Sequence, residues 1–319
     1  MLLRNNRLLL LALVSVWLLP LPGWAGAVYV VSQAAAELTV LDSQNLDQIN
    51  RADLPAGPFG LIHDPDTDYL YISHPEAGEI SVIKRSNLEK VATVITGGQP
   101  FEMVLDDQKA QLFVSDWSRG AVLVVNTRTA QITDLLAVGN SPTGIAIDTK
   151  DRQIFVANKG DNTLTVLDAD KPRLHAVVET GKRPYAVAFN ARHSHVYVTS
   201  IEDNTVCIID SNSYQVIKTI KTGRAPYDVT VSKDGSVFFV VTQNANMISQ
   251  FDATSFSRIN QFEAGKMPET VQLSPAGSHA YVTNWFDNSL TVTDLLKAVK
   301  IESVSLPEGP RNILILESP

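Results

Sequence analysis

The sequence predicts an all-β fold, a seven-bladed β-propeller with four antiparallel strands in each blade. Three kinds of position recur every 42 residues, and residues 26–319 hold seven such periods. A repeat of this length is typical of a propeller or a solenoid. A proline opens each unit, at Pro58, Pro100, Pro142, Pro184, Pro226, Pro268 and Pro310. An aromatic residue follows, at Tyr29, Tyr71, Phe113, Phe155, Tyr197, Phe239 and Tyr281. A polar residue closes the next apolar stretch, at Asp42, Lys84, Asn126, Asp168, Asp210, Asp252 and Asp294.

The composition of one unit separates the propeller from the solenoid. The unit that begins at Pro184 contains four short extended segments, "YAVAF", "HVYVTS", "TVCIID" and "QVIKTIKTG". The first three are rich in Val, Ile, Tyr and Phe, and turn residues such as "EDN" separate the segments. No segment keeps a helical period, which argues against the helical repeat families. Four strands per unit are typical of a propeller blade.

The two ends of the repeat predict how the ring closes. The first unit lacks the leading strand, because the position 42 residues before Pro58 is Val16, inside the apolar N-terminal segment. The last unit is followed by the extra segment "GPRNILIL". We expect this C-terminal strand to join the N-terminal blade, which would remove two exposed strand edges.

Residues 1–25 predict a signal peptide, and residues 26–319 a single propeller domain. Arg4 and Arg7 precede an apolar core that is broken by proline, and small residues follow, so cleavage after Ala25 or Ala27 fits equally well. The core is too short for a good membrane anchor, and no later apolar run could serve as one. We therefore expect a periplasmic or secreted protein without a transmembrane anchor after cleavage.

The net charge limits the classes of binding partner, and the cysteine content limits disulfide formation. Residues 1–25 hold two of the 26 basic residues and no acidic one, so their removal changes the net charge from −8 to −10. Such an acidic chain is a poor partner for nucleic acid or anionic lipid. The single cysteine, Cys207, permits no internal disulfide and lies in an apolar strand, where it is expected to be a small apolar filler.

The second segment of each unit carries a family resemblance. "YVTN" at 281–284 has counterparts "YVTS" at 197–200, "FVAN" at 155–158, "FVSD" at 113–116 and "YISH" at 71–74. The chain resembles the YVTN family of β-propeller repeats, YncE-like proteins, over nearly all of residues 26–319. The resemblance implies the fold and a secreted or periplasmic setting. Related propellers include binding proteins, subunits of quinone-dependent dehydrogenases, lactone-cleaving enzymes and a streptogramin-cleaving lyase, so the fold does not define the function.

Two of the repeated features have structural explanations. The polar residue after the third strand is expected to accept backbone hydrogen bonds in the following turn. A glycine precedes the proline in most units, where we expect a positive φ in the tight link between blades. These glycines are Gly97, Gly139, Gly181, Gly223 and Gly265.

Function is expected at residues that break the repeat near the axis. Trp117 and Trp285 occupy equivalent positions in units that lie nearly opposite one another in a ring of seven. Together with aromatic and charged residues that follow the prolines, they would form a cup for a small organic ligand or a hot spot of a protein partner. The alternative is that these aromatic residues only cap the inner strands and that nearby basic residues are solvated. The candidate face comprises Phe59, His74, Phe101, Glu102, Trp117, Lys159, Tyr185, Tyr227, Asp228, Glu269, Trp285 and Arg311.

The histidines are scattered rather than clustered. His74 is expected at the turn surface, where it could bind a ligand or transfer a proton. His63 occupies a position that is apolar in other units and is expected in a core. His193 and His195 flank a turn, but the sequence offers no third metal ligand beside them.

Motifs for catalysis and cofactors are missing from the sequence. It contains no C-x-x-C-H, H-E-x-x-H or G-x-S-x-G motif, and we predict no cofactor, although Glu102, Asp228 and Glu269 could hold a divalent ion at the axis. Two functional hypotheses follow. The first is a monomeric periplasmic recognition or scaffold protein that binds a small molecule or a protein partner on its axial face. The alternative is a non-catalytic subunit of a quinone- or haem-dependent dehydrogenase, or a propeller lactonase or lyase.

Overall fold

A computed structural model describes residues 26–171 and 173–317, and it arranges them as seven four-stranded antiparallel sheets. The predicted seven-bladed propeller is confirmed. Within these residues, helical structure consists of two single turns, Asp107–Lys109 and Gln243–Ala245. The predicted signal peptide lies outside the described residues.

The strands follow one another in chain order, four to a blade. Blade 1 contains β1 (Gly26–Ser32), β2 (Glu37–Asp42) and β3 (Gln48–Asp53). Blade 2 contains β4 (Leu61–Asp64), β5 (Tyr69–His74), β6 (Glu79–Lys84) and β7 (Lys90–Ile95). Blade 3 contains β8 (Pro100–Asp106), β9 (Gln111–Asp116), β10 (Ala121–Asn126) and β11 (Gln131–Ala137). Blade 4 contains β12 (Pro142–Asp148), β13 (Gln153–Asn158), β14 (Thr163–Asp168) and β15 (Leu174–Glu179). Blade 5 contains β16 (Pro184–Asn190), β17 (His195–Ser200), β18 (Thr205–Asp210) and β19 (Val216–Lys221). Blade 6 contains β20 (Pro226–Val231), β21 (Val237–Thr242), β22 (Met247–Asp252) and β23 (Arg258–Glu263). Blade 7 contains β24 (Pro268–Leu273), β25 (His279–Asn284), β26 (Ser289–Asp294) and β27 (Val299–Ser305), and β28 (Pro310–Glu317) ends the described chain.

The C-terminal strand closes the ring, as the sequence predicts. β28 pairs antiparallel with β1, and the register runs from Gly26 opposite Glu317 to Val31 opposite Asn312. Blade 1 therefore takes its innermost strand from the C-terminus and its other three strands from the start of the propeller. The edge of β1 that would otherwise be exposed is thereby paired, and the two ends of the described chain hold the ring closed.

The hydrophobic core lies between adjacent blades. The repeated aromatic residue on the second strand of each blade is buried there; Tyr71, Phe113 and Tyr197 each have 0% exposure. The Tyr71 hydroxyl donates to the carbonyl of Thr127 at 2.8 Å, so the ring is buried without an unpaired hydroxyl. Cys207 packs in the same layer, and burial raises the pKa of its thiol to about 11, as expected for an apolar filler.

The repeated polar residue after the third strand has the predicted structural role. Asp210 Oδ1 accepts the backbone N–H groups of Asn212 at 3.2 Å and Ser213 at 2.7 Å. Equivalent bonds form at Asp42, Asn126, Asp168, Asp252 and Asp294. These side chains satisfy turn donors that would otherwise need water.

Four of the five glycines in the blade links lack the predicted positive φ. Only Gly97 of the five has a positive φ, +64°. In the links that contain the other four glycines, the residue with positive φ is the one directly before the proline, such as Arg183 with φ 54°. A Cβ on Gly181 would instead lie 2.7 Å from Ser200 Oγ. Close approach between the link and the end of the second strand therefore explains the glycine.

Side chains of one blade hold the link to the next. Asn162 Oδ1 accepts the N–H of Arg183 at 2.8 Å, and Asn204 makes the same bond to Ala225. Nearer the axis, Ser115 Oγ donates to the carbonyl of Thr143 on the neighbouring inner strand at 2.6 Å. These contacts set the height of each inner strand and place the residues after the prolines at one end of the axis.

Candidate functional site

A cavity of about 270 Å³ lies among the inner strands of the ring and is called the axial cavity below. All seven inner strands or the residues just before them contribute to its wall, because every blade presents the residues after its proline toward the axis. One lining residue from each blade is Phe59, Glu102, Gly144, Tyr185, Tyr227, Glu269 and Arg311.

Five aromatic side chains form a continuous group at the mouth of the axial cavity. The ring centroids of Phe59 and Phe101 lie 3.8 Å apart, and Phe101 lies 5.5 Å from Trp117 and 6.0 Å from Tyr185. Tyr185 continues to Tyr227 at 4.1 Å, and the two hydroxyls share a short hydrogen bond. These five residues are called the aromatic belt. Phe101, Trp117 and Tyr227 remain partly exposed, so the belt offers aromatic surface to a ligand.

Arg311, on β28 of blade 1, occupies the side of the mouth between Phe59 and Trp285. Its guanidinium carbon lies 4.6 Å from the centroid of Phe59 and 4.9 Å from that of Trp285. It also donates to the Tyr227 hydroxyl at 3.0 Å. Arg311 is therefore held between aromatic rings and its position is fixed.

The charge of Arg311 is balanced by Glu269, with which it forms an ion pair. Glu269 is only 1% exposed, and Gln243 Nε2 donates to its Oε1 at 2.7 Å. Burial opposes the charge of Arg311, but the nearby tyrosines and the Glu269 carboxylate keep its pKa above the usual value, whereas burial raises the pKa of Glu269 against the opposing effect of Arg311. A buried pair of this kind needs its additional hydrogen bonds to offset desolvation.

Lys159 occupies the opposite side of the mouth and forms no ion pair with the residues that the structure describes. Its ammonium lies 4.8 Å from the centroid of Trp117 and 5.1 Å from that of Tyr185. Burial, reinforced by the positive charges of Arg183 and Arg311, lowers the pKa of Lys159 to about 8. The ammonium is therefore mostly charged at neutral pH and repelled by its cationic neighbours.

Two carboxyl groups lie deeper in the axial cavity. Burial raises the pKa of Glu102 to about 8 and that of Asp228 to about 6. Asn312 Nδ2 approaches Glu102 Oε1 at 3.4 Å, and Asp228 Oδ2 accepts the N–H of Val271 at 2.9 Å. Glu102 is therefore mostly protonated at neutral pH and able to donate a hydrogen bond, whereas Asp228 is mostly ionised.

The third carboxylate proposed for an axial ion, Glu269, is engaged by Arg311 and Gln243. Among residues 26–171 and 173–317, no group of three His, Cys, Asp or Glu side chains is arranged to hold a metal ion. His193 and His195 stack at 5.5 Å between ring centroids, without a third ligand in that part of the chain.

Two further pockets flank the mouth. The first, of about 350 Å³, contains Trp117, Lys159, Lys182, Arg183 and Glu202 and is called the Trp117 pocket. The second, of about 430 Å³, contains Trp285, Arg311, Gln33 and Glu76 in its wall. The two tryptophans therefore lie in separate pockets on different sides of the axial cavity.

His74 does not reach this face, and its predicted surface position is wrong. The ring has 0% exposure, and burial lowers its pKa to about 4, so it is neutral. Equivalent residues in other blades explain the burial: Asn158 Oδ1 accepts the N–H of Gly139 at 3.1 Å, and Asn284 does the same for Gly265. This position supports the blade link. His63, expected in a core, is only partly buried and its Nε2 lies 3.0 Å from Asp68 Oδ1.

Two residues at the axis were missed at the level of sequence. Gln243 contacts Glu269, and Asn312 contacts Glu102. The repeat contains a signal for Gln243, because it lies 42 residues before Trp285 and three such periods after Trp117. Asn312 lies five such periods after Glu102, so the repeat places the two at the same position of their blades, but it does not indicate that their side chains meet.

Fold and site together define a closed seven-bladed β-propeller with an aromatic and charged axial face. The profile of the YncE-like β-propeller family matches residues 139–318, more than half of the chain. The chain therefore belongs to the YncE-like β-propeller family. No curated protein matches the chain significantly. No helix in the described residues has both the length and the apolar character needed to cross a membrane.

Solved structures show the same fold at low sequence identity. A protein of unknown function from Desulfotomaculum acetoxidans has a TM-score of 0.80 and 15% identity, with 92% of this chain and 99% of that chain covered. Hydrazine synthase of Kuenenia stuttgartiensis has a TM-score of 0.73 and 17% identity, with coverage of 84% and 97%. Dihydro-heme d1 dehydrogenase NirN, in complex with DHE, has a TM-score of 0.71 and 14% identity, with coverage of 90% and 74%. These likenesses establish the fold and carry no function to this chain.

Proposed function

We propose that this propeller is an extracytoplasmic recognition protein that binds a small organic ligand at the axial mouth. The aromatic belt beside the axial cavity is the observation that supports this function. It places partly exposed rings next to Lys159 and Arg311, and small-molecule sites commonly combine apolar walls with a few fixed polar groups. The location rests on the signal-peptide pattern of residues 1–25.

The tryptophans provide a direct test. The sequence has four tryptophans, and two of them lie within residues 1–25, so a chain that begins at residue 26 retains only Trp117 and Trp285. Its tryptophan fluorescence, excited selectively over that of tyrosine, reports on the two flanking pockets. We expect a ligand found in a metabolite library to change this emission in a saturable manner.

Removal of both tryptophans separates recognition from folding. The double variant Trp117→Ala/Trp285→Ala should keep its melting temperature within a few degrees, because both side chains are partly exposed, and should bind the ligand at least roughly tenfold more weakly by calorimetry. A large loss of stability with unchanged affinity would show that the tryptophans are structural caps and would overturn the proposal.

A second candidate is recognition of a protein partner by the same face. Phe286, beside Trp285 in the turn between β25 and β26, is 67% exposed, and exposed aromatic residues are common anchors in protein interfaces. Phe286→Ser should abolish binding of a partner while leaving the emission change with a small ligand intact. Partner binding that is unchanged in Phe286→Ser would count against this second candidate and favour the small ligand.

The enzymatic alternative also has one supporting observation. Glu102 lies in the axial cavity with a pKa of about 8, a value suited to proton transfer near neutral pH. A lactone-hydrolysis assay with the wild type and Glu102→Gln tests this alternative. Turnover that is lost in the variant would favour a lactonase over a binding protein.

A further inference from the structure

The positive charge at the axial mouth is balanced on one side only. Arg311 is paired with Glu269, whereas Lys159, Lys182 and Arg183 form no ion pair with any residue in the described ranges. Glu202 is the one acidic residue in the wall of the Trp117 pocket. Three basic residues beside one acidic residue give this pocket a positive balance within a chain whose net charge is −8, and such a cluster creates a local positive potential.

Flat apolar surface lies directly beside these cations. The Lys159 ammonium is within 4.8 Å of the Trp117 centroid, and Trp117 is 5.5 Å from Phe101. Both rings are partly exposed. A single small molecule could therefore contact the rings and the ammonium together, and about 350 Å³ is within the usual range of small-molecule pockets.

We propose that the Trp117 pocket binds a planar organic anion. The ring system of the ligand packs against Trp117 and Phe101, and its carboxylate or sulfonate pairs with Lys159 and Arg183. This inference rests on the proposed function, because it names the class of ligand for the same face.

Cationic and neutral ligands would suit the Trp117 pocket less well than an anion. A cationic ligand would add to the repulsion among Lys159, Lys182 and Arg183. A neutral ligand would displace water from these groups without supplying an opposite charge, which leaves more of the desolvation cost of a partly buried cation unbalanced. The site containing Trp285 lacks this preference, because the guanidinium of Arg311 already has the carboxylate of Glu269.

Two dyes that differ by one sulfonate test the inference. 8-Anilinonaphthalene-1-sulfonate combines a flat naphthalene ring with an anionic sulfonate, and N-phenyl-1-naphthylamine is its neutral counterpart; both fluoresce on binding to apolar surface. With the chain from residue 26 to residue 319, we expect the anionic dye to bind at least roughly tenfold more tightly than the neutral dye. Added salt should weaken binding of the anionic dye and leave binding of the neutral dye unaffected.

Three variants locate the dye. Lys159→Met should weaken binding of the anionic dye roughly fivefold to twentyfold and leave binding of the neutral dye unchanged. Trp117→Ala should weaken both dyes. Lys300→Met, which removes an exposed lysine of β27 far from the site in sequence and fold, is the matched control and should change neither. Circular dichroism of each variant checks that the propeller is folded.

The outcomes separate this inference from the proposed function. Equal affinity for the two dyes, with both weakened by Trp117→Ala, would overturn the preference for anions and leave the recognition face intact. Failure of the anionic dye to bind would also overturn the inference, and the metabolite screen would then decide the proposed function separately. Binding of both dyes that is unchanged in Trp117→Ala would place them elsewhere and count against both proposals.

Discussion

Arg311 on the closing strand and Glu269 on blade 7 form a buried ion pair at the axis of the ring, although 42 residues separate them. The same arginine donates to Tyr227, 84 residues away. Arg311 therefore joins the C-terminal strand, which completes blade 1, to Glu269 of blade 7 and Tyr227 of blade 6. It links ring closure to the shape of the axial mouth.

Breaking this pair should be more harmful than removing it. Arg311→Met leaves the Glu269 carboxylate buried without its counter-charge, and we expect a loss of about 3–5 kcal/mol in the free energy of unfolding. The double variant Glu269→Gln/Arg311→Met should recover much of that loss. Urea denaturation of the two single variants and the double variant measures the coupling. Additive losses would show that the two side chains contribute independently.

The stability contributed by protonated Glu102 and Asp228 should decrease as the pH rises from about 5 to about 8, whereas buried His74 has the opposite effect below about pH 6.5. Glu102 and Asp228 have folded-state pKa values of about 8 and about 6, above those of the unfolded chain, so the folded state binds more protons over this interval. Glu102→Gln should raise the melting temperature at pH 8 by a few degrees and change it little at pH 4. An equal shift at both pH values would mean that the effect is not ionisation.

Charged Lys159 should lower the free energy of unfolding, although it is proposed to bind the ligand. Its folded-state pKa, about 8, lies below the ordinary lysine value, so the cost of the charged form is fully present below pH 8 and disappears as the pH passes the unfolded value. Because the side chain is partly solvated, we expect Lys159→Met to stabilise the fold by only about 1 kcal/mol at pH 7. Thermal unfolding at pH 7 and pH 10.5 checks this expectation, and a stabilisation that persists at the higher pH would contradict it.

Close packing at Gly181 should make this position intolerant of side chains. Gly181→Val would bring Cβ to within 2.7 Å of Ser200 Oγ and 2.8 Å of its Cβ, and we expect a loss of about 1–3 kcal/mol. Ser200→Gly in the same chain should restore part of the stability. Chemical denaturation of both variants measures the effect. If Ser200→Gly recovers nothing, the strain at Gly181 comes from the backbone and not from this contact.

Much of the fold could be predicted because its cause is local and repeated. The proline at the start of each inner strand, the aromatic residue of the second strand and the polar residue after the third strand each act within one blade, so their spacing predicts both the blade and its number. The extra segment after the last unit predicts the closure between β28 and β1. The site was predicted less completely. Trp117, Tyr185 and Arg311 were found because they break the repeat, but His74 was misplaced because its column supports the blade links from a buried position.

The sequence by itself determined the number of blades, the strand order within each and the means of closing the ring, because a period of 42 residues is visible without any knowledge of contacts. Only the tertiary structure decided which side chains meet at the axis. Asn312 lies 3.4 Å from Glu102 across 210 residues of chain, and Lys159 lies above a ring contributed by another blade. The physical reason is that the closed ring brings the inner strands of all blades to one axis, where neighbours are set by the angle between blades and not by distance along the chain.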